Sequence, residues 1–446
     1  MTIHQLTPTL FDRVAAGDGG PGSIVELRSA QVSKHLLLIR HLLERWAAAP
    51  PGGPGPAGVA ELLERSRAAA PEAFREVIGA PLVGGWAAIA GRAATQGAAA
   101  GADFGHLAAI AIVAATAAGV DGCAEIPVHG GLAVLPGLGA IVADNATTVE
   151  VTTTGGRLTA LSRDAALSRE PALPREAALP FEAALSLEAL GEPRPGWLPV
   201  RRLVGESGGL AIRLDLDDLH PYRHGHHVPP ANRLPEDEVD RWREVFADAW
   251  ALLATHLPGR ATELAAGLRT LVPLVQTDPR SARSATIRHA FGVFGLTRPP
   301  SPHDFAVTLV HEFQHSKLSA VLDLMPLTDP ADTGRYFAPW RTDPRPLAGL
   351  LQGVYAFVGV ADTWRALRGS AGVAEARFAE ARLQIDRGLA AIEESGALTP
   401  AGETLAAALR RTTDEMLAEP VPPAVARAAE ESLASTRRQW DERNAG

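Results

Sequence analysis

From Ser23 to Ala48 apolar residues recur at helical spacing, among them Leu27, Val32, Ile39, Leu42 and Trp46, and predict one long amphipathic helix. The run Pro50-Pro51-Gly52-Gly53-Pro54 ends it. Further helices are predicted around 57–70, over 72–96 after the start signal Pro71-Glu72, and over the alanine-rich stretch 104–119. After Cys123 the period shortens. Glu125–Val128, Leu132–Leu135, Ala140–Ala143 and Val149–Thr154 are short runs separated by Gly, Pro, Asp or Asn, as strands of hairpins are. Strands resume at Leu198–Val204 and Leu210–Leu216, and a helix begins near Pro235. Two more apolar runs, Leu271–Val275 and Ala285–Leu296, precede a rear part that is helical from Pro302 onward except for a Pro-rich loop at 326–346.

The expected fold class is α+β, mainly helical, with a mixed or antiparallel β middle region and a zincin-like HExxH helix. The expected organisation is a helical region at 1–120, a mixed β-rich region at 121–300, and a helical metal-binding region at 301–446. Between 164 and 196 a degenerate repeat, EPAL then EAAL twice with prolines interposed, reads as a variable linker.

Composition narrows the partners. The formal charge is −9, and only Lys34 and Lys317 among the 42 basic residues are lysine. The arginines are interspersed with a larger number of acids, so a nucleic-acid footprint is not expected. The most membrane-like stretch, Leu107–Val120, is about 14 residues long and short of the ~20 that span a bilayer. It reads as a buried helix. The N-terminus carries no basic segment followed by a long apolar run, and Cys123 has no cysteine partner and reads as a small buried hydrophobe. A cytoplasmic protein without membrane or nucleic-acid partners is expected.

The chemistry concentrates at His311-Glu312-Phe313-Gln314-His315, inside Phe305–Leu324, which has an apolar stripe and no internal Pro or Gly. Four-residue spacing places both imidazoles on one helix face, one turn apart, where they can share a cation at ~2.0–2.1 Å. Glu312 is then placed as base toward a metal-bound water or as a supporting residue. His315 is the last of the 14 histidines, so a third ligand is a carboxylate, an amide or an upstream histidine. Asp323, Asp343, Gln352 and Asp362 are the candidates, Asp323 with poor geometry because it lies about 80° round the helix from His315. The cluster His220, His224, His226 and His227 is a weaker second metal candidate; a solvated loop on the substrate side is the simpler reading. Tyr355 reads as a core tyrosine.

Three stretches together resemble a known family. They are Ser284-Ala-Thr-Ile-Arg-His-Ala-Phe-Gly292, the motif stretch Leu309–Leu327, and Ala338-Pro-Trp-Arg-Thr-Asp-Pro-Arg345 running on to Tyr355. The resemblance extends more loosely to the region of Ser29–Leu38 and to Leu216-Asp-Asp-Leu-His-Pro-Tyr-Arg223. The chain resembles the HExxH-motif iron(II)- and 2-oxoglutarate-dependent peptide β-hydroxylases of ribosomal-peptide biosynthetic clusters. This resemblance implies Fe(II) on His311 and His315, with 2-oxoglutarate and O₂ on open positions. It implies Gln352 as third ligand, at a position where the family carries histidine or glutamine. It also implies an arginine for the far carboxylate of 2-oxoglutarate, for which Arg341 and Arg345 are the candidates and Arg288 the next. The implied substrate is a ribosomal precursor peptide, met as an extended strand at a sheet edge, and a radical SAM maturase is the implied neighbouring partner.

Two other readings compete. A zinc metallopeptidase would use Glu312 to take a proton from zinc-bound water, but no glutamate follows His315 until Glu375. A non-catalytic peptide-binding partner of a radical SAM enzyme would need neither base nor cosubstrate.

Overall fold

The computed structural model describes residues 4, 6–48, 56–96, 103–144, 146–163, 185–186, 190–224, 228–278 and 280–444. Most of the 164–196 repeat, and His226 and His227, lie outside them. The chain opens with α1 (Pro8–Ala15), which the periodicity did not predict, and α2 (Gly20–Ala47). The segment expected as one helix over 72–96 is two. After α3 (Pro56–Ala69), α4 (Pro71–Ile78) ends at Gly79, and Pro81 starts α5 (Pro81–Thr95) at the position where its missing N–H costs nothing. Next comes α6 (His106–Ala118), buried from His106 to Thr116, the interior helix that its composition implied. Among the described residues no single helix is long and apolar enough to cross a membrane.

The β part begins with β1 (Gly122–Pro127), β2 (Leu132–Leu135), β3 (Gly139–Val142), β4 (Thr148–Thr154), β5 (Arg157–Arg163), β6 (Leu185–Ser186) and β7 (Trp197–Pro199). They form two sheets, β1-β4-β5-β6 and β2-β3-β7, with antiparallel pairing throughout. Cys123 is exposed, which corrects the buried reading. Strand alternation explains it: Ala124 and Ile126 face the core, so Cys123 takes the outer face of β1.

A third sheet carries the site. β8 (Arg201–Ser207) and β9 (Leu210–Leu216) form a hairpin; then α7 (Glu236–His256), α8 (Pro258–Gly267), β10 (Thr270–Pro273), β11 (Ser284–Thr286) and β12 (Val293–Leu296) follow. The order is β11-β12-β10-β9-β8, parallel through β12, β10 and β9 and antiparallel at both edges. The run 285–296 is thus two strands with a turn at Gly292. The rear is helical: α9 (Pro302–Leu322), α10 (Leu347–Ala366), α11 (Ala374–Glu394), α12 (Pro400–Ala418) and α13 (Pro423–Asn444). The α+β, mainly helical class holds.

The apolar core divides differently from the boundaries expected at 120 and 300. Of the two largest clusters, one runs from Ile39 to Trp197 and the other joins Leu6–Leu27 to residues between Leu203 and Met416. The helix α2 contributes to both, Ile24 and Leu27 of its first half to the second cluster and Ile39 and Leu42 of its second half to the first, where it packs on α5.

His220 is not in a solvated loop: it is buried, 5.0 Å from the His106 ring in an edge-on contact, with Tyr222 beside both. The tyrosine hydroxyl donates to Asp103 at 2.7 Å. Asp217 accepts the Leu219 and His220 N–H groups, and Asp218 binds Arg201 and Arg233, so the Leu216–Arg223 stretch is a structural joint between the two cores.

Three buried histidines set a pH dependence. Burial lowers His35 to about 4, against the Ile78 carbonyl that its Nδ1 meets at 2.8 Å; it lowers His220 to about 3 and His106 well below its ordinary value. In the unfolded chain each takes up a proton near 6.5, so below that pH the unfolded state binds more protons than the folded one. Stability is expected to fall as pH drops from 6.5 towards 4. Denaturant titrations across that range would check it, and the fall should be shallower in His35→Gln; equal slopes would exclude His35 as a contributor.

Candidate metal centre

The motif helix α9 starts cleanly. Ser301 caps it, its hydroxyl accepting the Asp304 N–H at 3.1 Å, Pro302 sits in the first turn, and no Gly or Pro interrupts the helix. Phe313, on the face away from the histidines, packs on Phe291 and reaches α8 at Gly267, where a Cβ would overlap its ring. A side chain at Gly267 would therefore push the motif helix outward.

The four-residue spacing brings the two imidazoles together. Their Nε2 atoms are 3.0 Å apart, their ring centroids 4.8 Å, and both residues are half-buried. On the other edge of His315, Nδ1 lies 3.2 Å from Oε1 of Gln352 on α10, whose amide N–H donates to Ser319 Oγ at 3.3 Å. An amide oxygen only accepts, so the His315 proton sits on Nδ1 and Nε2 presents a lone pair towards His311. Burial, and next to it the neighbouring His315, lower His311 to about 4 and keep it neutral, the form a metal needs. Two nitrogens ~2.1 Å from one cation and ~90° apart stand ~3.0 Å from each other. The pair therefore fits adjacent positions on a single divalent ion.

The rest of the expected ligand set is placed differently. Gln352 stands behind His315, in an orienting position, and not beside the Nε2 pair as a third ligand. Each acidic candidate is committed to arginine or lysine: Asp323 to Lys34 at 2.7 Å and Arg288 at 3.1 Å, Asp343 to Arg341 at 2.5 Å, Asp362 to Arg260 at 3.0 Å and Arg365 at 2.7 Å. Among the described residues no group of three His, Cys, Asp or Glu is arranged to hold a metal. Among the described residues the imidazole pair is therefore the donor set brought together here.

Glu312 does not point at the imidazoles as a free base. It is 3% exposed, and its two carboxylate oxygens accept hydroxyl hydrogen bonds from Ser284 at 2.7 Å and Thr286 at 2.5 Å, both on the edge strand β11. Alternation along β11 is what lets residues 284 and 286 reach the same carboxylate. The motif glutamate so fastens α9 to the sheet.

Of the three arginines expected at the cosubstrate, two are already engaged. Arg288 spans the Ser319 carbonyl and Asp323, and Arg341 is held by Asp343 two residues on. Arg345 is 3.9 Å from Asp343, pairs through its backbone with Tyr336, and lies against Gly349 in the first turn of α10, one turn before Gln352. Among the described residues its guanidinium makes no hydrogen bond.

Sequence reasoning missed an aromatic wall. Phe357 meets His311 edge-on at 5.7 Å, and Trp340 stacks on Phe357 at 4.6 Å. Gly353 makes room for that stack, since a Cβ there would overlap the Trp340 ring. The signal was present in the Ala338–Tyr355 stretch, but nothing local says which ring faces which.

Behind α9 a second polar layer is fully internal. Lys317 binds Glu263 at 2.6 Å and the Gly17 carbonyl at 3.1 Å; Gln314 donates to the same carbonyl, and Glu263 also accepts the Gly19 and Gly20 N–H groups at the start of α2. Tyr355, buried as expected, donates to the Val14 carbonyl at 2.7 Å. No protein-family model matches the chain, and no curated protein matches it either.

Proposed function

We propose that the chain is an iron(II)- and 2-oxoglutarate-dependent oxygenase that β-hydroxylates a side chain of a ribosomally made precursor peptide, with a radical SAM maturase as a neighbouring partner. The reading starts from the sequence resemblance and is supported by one observation above the rest: Glu312 is tied up by Ser284 and Thr286. A hydrolase needs that carboxylate free to take the proton of an attacking water. The proposed oxygenase would use the two imidazoles, open metal positions and a dry wall, and none of these asks for a base at residue 312.

His311 and His315 would hold the iron, and Gln352 would keep the His315 proton on Nδ1. When bound, the iron would supply oxygen activation coupled to oxidative decarboxylation of 2-oxoglutarate. Arg345, whose guanidinium makes no hydrogen bond among the described residues, is the first choice for the far carboxylate of the cosubstrate, ahead of Arg341 and Arg288, each of which has one nitrogen engaged. Phe357 and Trp340 would exclude water from one side of His311 and bound the space for the substrate side chain.

The test is anaerobic loading with Fe(II), followed by O₂, 2-oxoglutarate and a precursor peptide encoded beside the chain, read by peptide mass and by succinate. A gain of about 16 Da that requires 2-oxoglutarate is expected, the outcome of open-site iron chemistry. Glu312→Gln should keep succinate formation within about tenfold, far less than the loss expected when a general base is removed. Peptide cleavage with zinc and no cosubstrate, abolished by Glu312→Gln, would overturn the proposal in favour of the peptidase.

A further inference from the structure

The strand β11 is an edge strand. It pairs only with β12, through Ser284↔Leu296, Ala285↔Gly295 and Thr286↔Phe294, and no strand covers its other side among the described residues. Such an edge presents unpaired backbone donors and acceptors, which an extended peptide satisfies by adding as a further strand. This edge is also fixed relative to the imidazoles. Ser284 and Thr286 both bond the carboxylate of Glu312, the residue directly after His311 and three before His315.

Charge selects the peptide. Residues 276–289 carry Arg280, Arg283 and Arg288 against the single acid Asp278, in a chain whose formal charge is −9. Arg288 is held through Nη1 by Asp323 and the Ser319 carbonyl. Arg280 reaches Asp278 only at 3.8 Å and is 93% exposed. Arg283 is exposed; its backbone is held by Thr297 at 2.8 Å, and no carboxylate pairs with its guanidinium among the described residues. Two arginine heads with unspent donors therefore stand at the entry to an open strand edge that is tied to the motif helix.

We propose that the free edge of β11 docks an extended acidic peptide as an added strand, with Arg280 and Arg283 reading its carboxylates as the chain passes His311 and His315. Backbone pairing supplies affinity that does not depend on sequence, and the arginines supply the preference for acids and speed the encounter. The inference rests on the peptide-processing reading for its purpose, but its test does not use the metal, oxygen or 2-oxoglutarate.

The experiment is fluorescence polarisation of the metal-free full chain with three fluorescein-labelled decapeptides. One alternates glutamate and valine, one alternates lysine and valine, and one alternates glutamate and proline, which cannot pair as a strand. The Glu-Val peptide is expected to bind at least about tenfold more tightly than either of the others, the scale of a rim charge set or a lost strand pairing. In Arg280→Glu/Arg283→Glu, two exposed positions that leave the fold intact, the preference should reverse towards the Lys-Val peptide. Hydrogen exchange at 284–286 should slow on adding the Glu-Val peptide to the wild type. Equal binding of the acidic and basic peptides, acidic binding unaltered by the double substitution, or protection only elsewhere would overturn the assignment. A peptide that docks as described on a protein that then adds no oxygen would leave the docking edge standing and remove the oxygenase reading alone.

Discussion

Replacing Glu263 with alanine is expected to destabilise the protein by about 3–5 kcal/mol, the cost of removing one partner from a buried ion pair. The pair is fully internal, with side chains 0% (Lys317) and 1% (Glu263) exposed and 2.6 Å apart. Burial alone would raise the Glu263 carboxyl, but Lys317 and then Arg260 overcome it and hold the group well below the ordinary carboxylate range. Asp18 is raised in turn, first because it hydrogen-bonds to Glu263 and then because it is partly buried. Without Glu263, the Lys317 ammonium keeps the Gly17 carbonyl as its hydrogen-bond acceptor but loses its closest carboxylate, and the Gly19 and Gly20 N–H groups lose their acceptor at the start of α2. The damage reaches the motif helix, because Lys317 lies two residues after His315. Denaturant unfolding of the variant checks the size, and Glu263→Ala combined with Lys317→Met should recover part of the loss by removing the stranded cation. A shift below about 1 kcal/mol would mean that water reaches this layer and that it carries little of the stability.

The second large effect is on metal binding. His311→Ala or His315→Ala is expected to weaken Fe(II) or Co(II) binding by well over 100-fold, since each removes one of two nitrogens, whereas Gln352→Ala should weaken it by about 10- to 100-fold, as loss of an orienting hydrogen bond does. Anaerobic titration calorimetry on the three variants reads the difference. The ranking follows from the geometry: the two Nε2 atoms are 3.0 Å apart, and Gln352 touches only the Nδ1 edge of His315. Equal losses for Gln352→Ala and His315→Ala would return Gln352 to the ligand set. Unaltered binding in His315→Ala would remove the metal centre altogether.

The helices and most strands were legible because their signal is local. Spacing alone puts His311 and His315 on one face of a helix, and Ser301-Pro302 marks where that helix starts. The alanine-rich 104–119 stretch announces an interior helix by composition. Where local signals were mixed the reading slipped: Pro81 splits one predicted helix into two, and Gly292 turns one apolar run into two strands.

The amino-acid sequence by itself determined the α+β class, the paired imidazoles and the absence of a histidine after them. The tertiary structure alone decided what each remaining group does. Glu312 is bound by hydroxyls 28 and 26 residues away, Asp323 by a lysine 289 residues away, and Lys317 by a glutamate 54 residues away. Periodicity reports which face of an element a side chain occupies, because that face is set within one turn or one pleat. Whether a carboxylate becomes a base, a ligand or a tie depends on the donor brought against it, and that donor comes from a distant part of the chain.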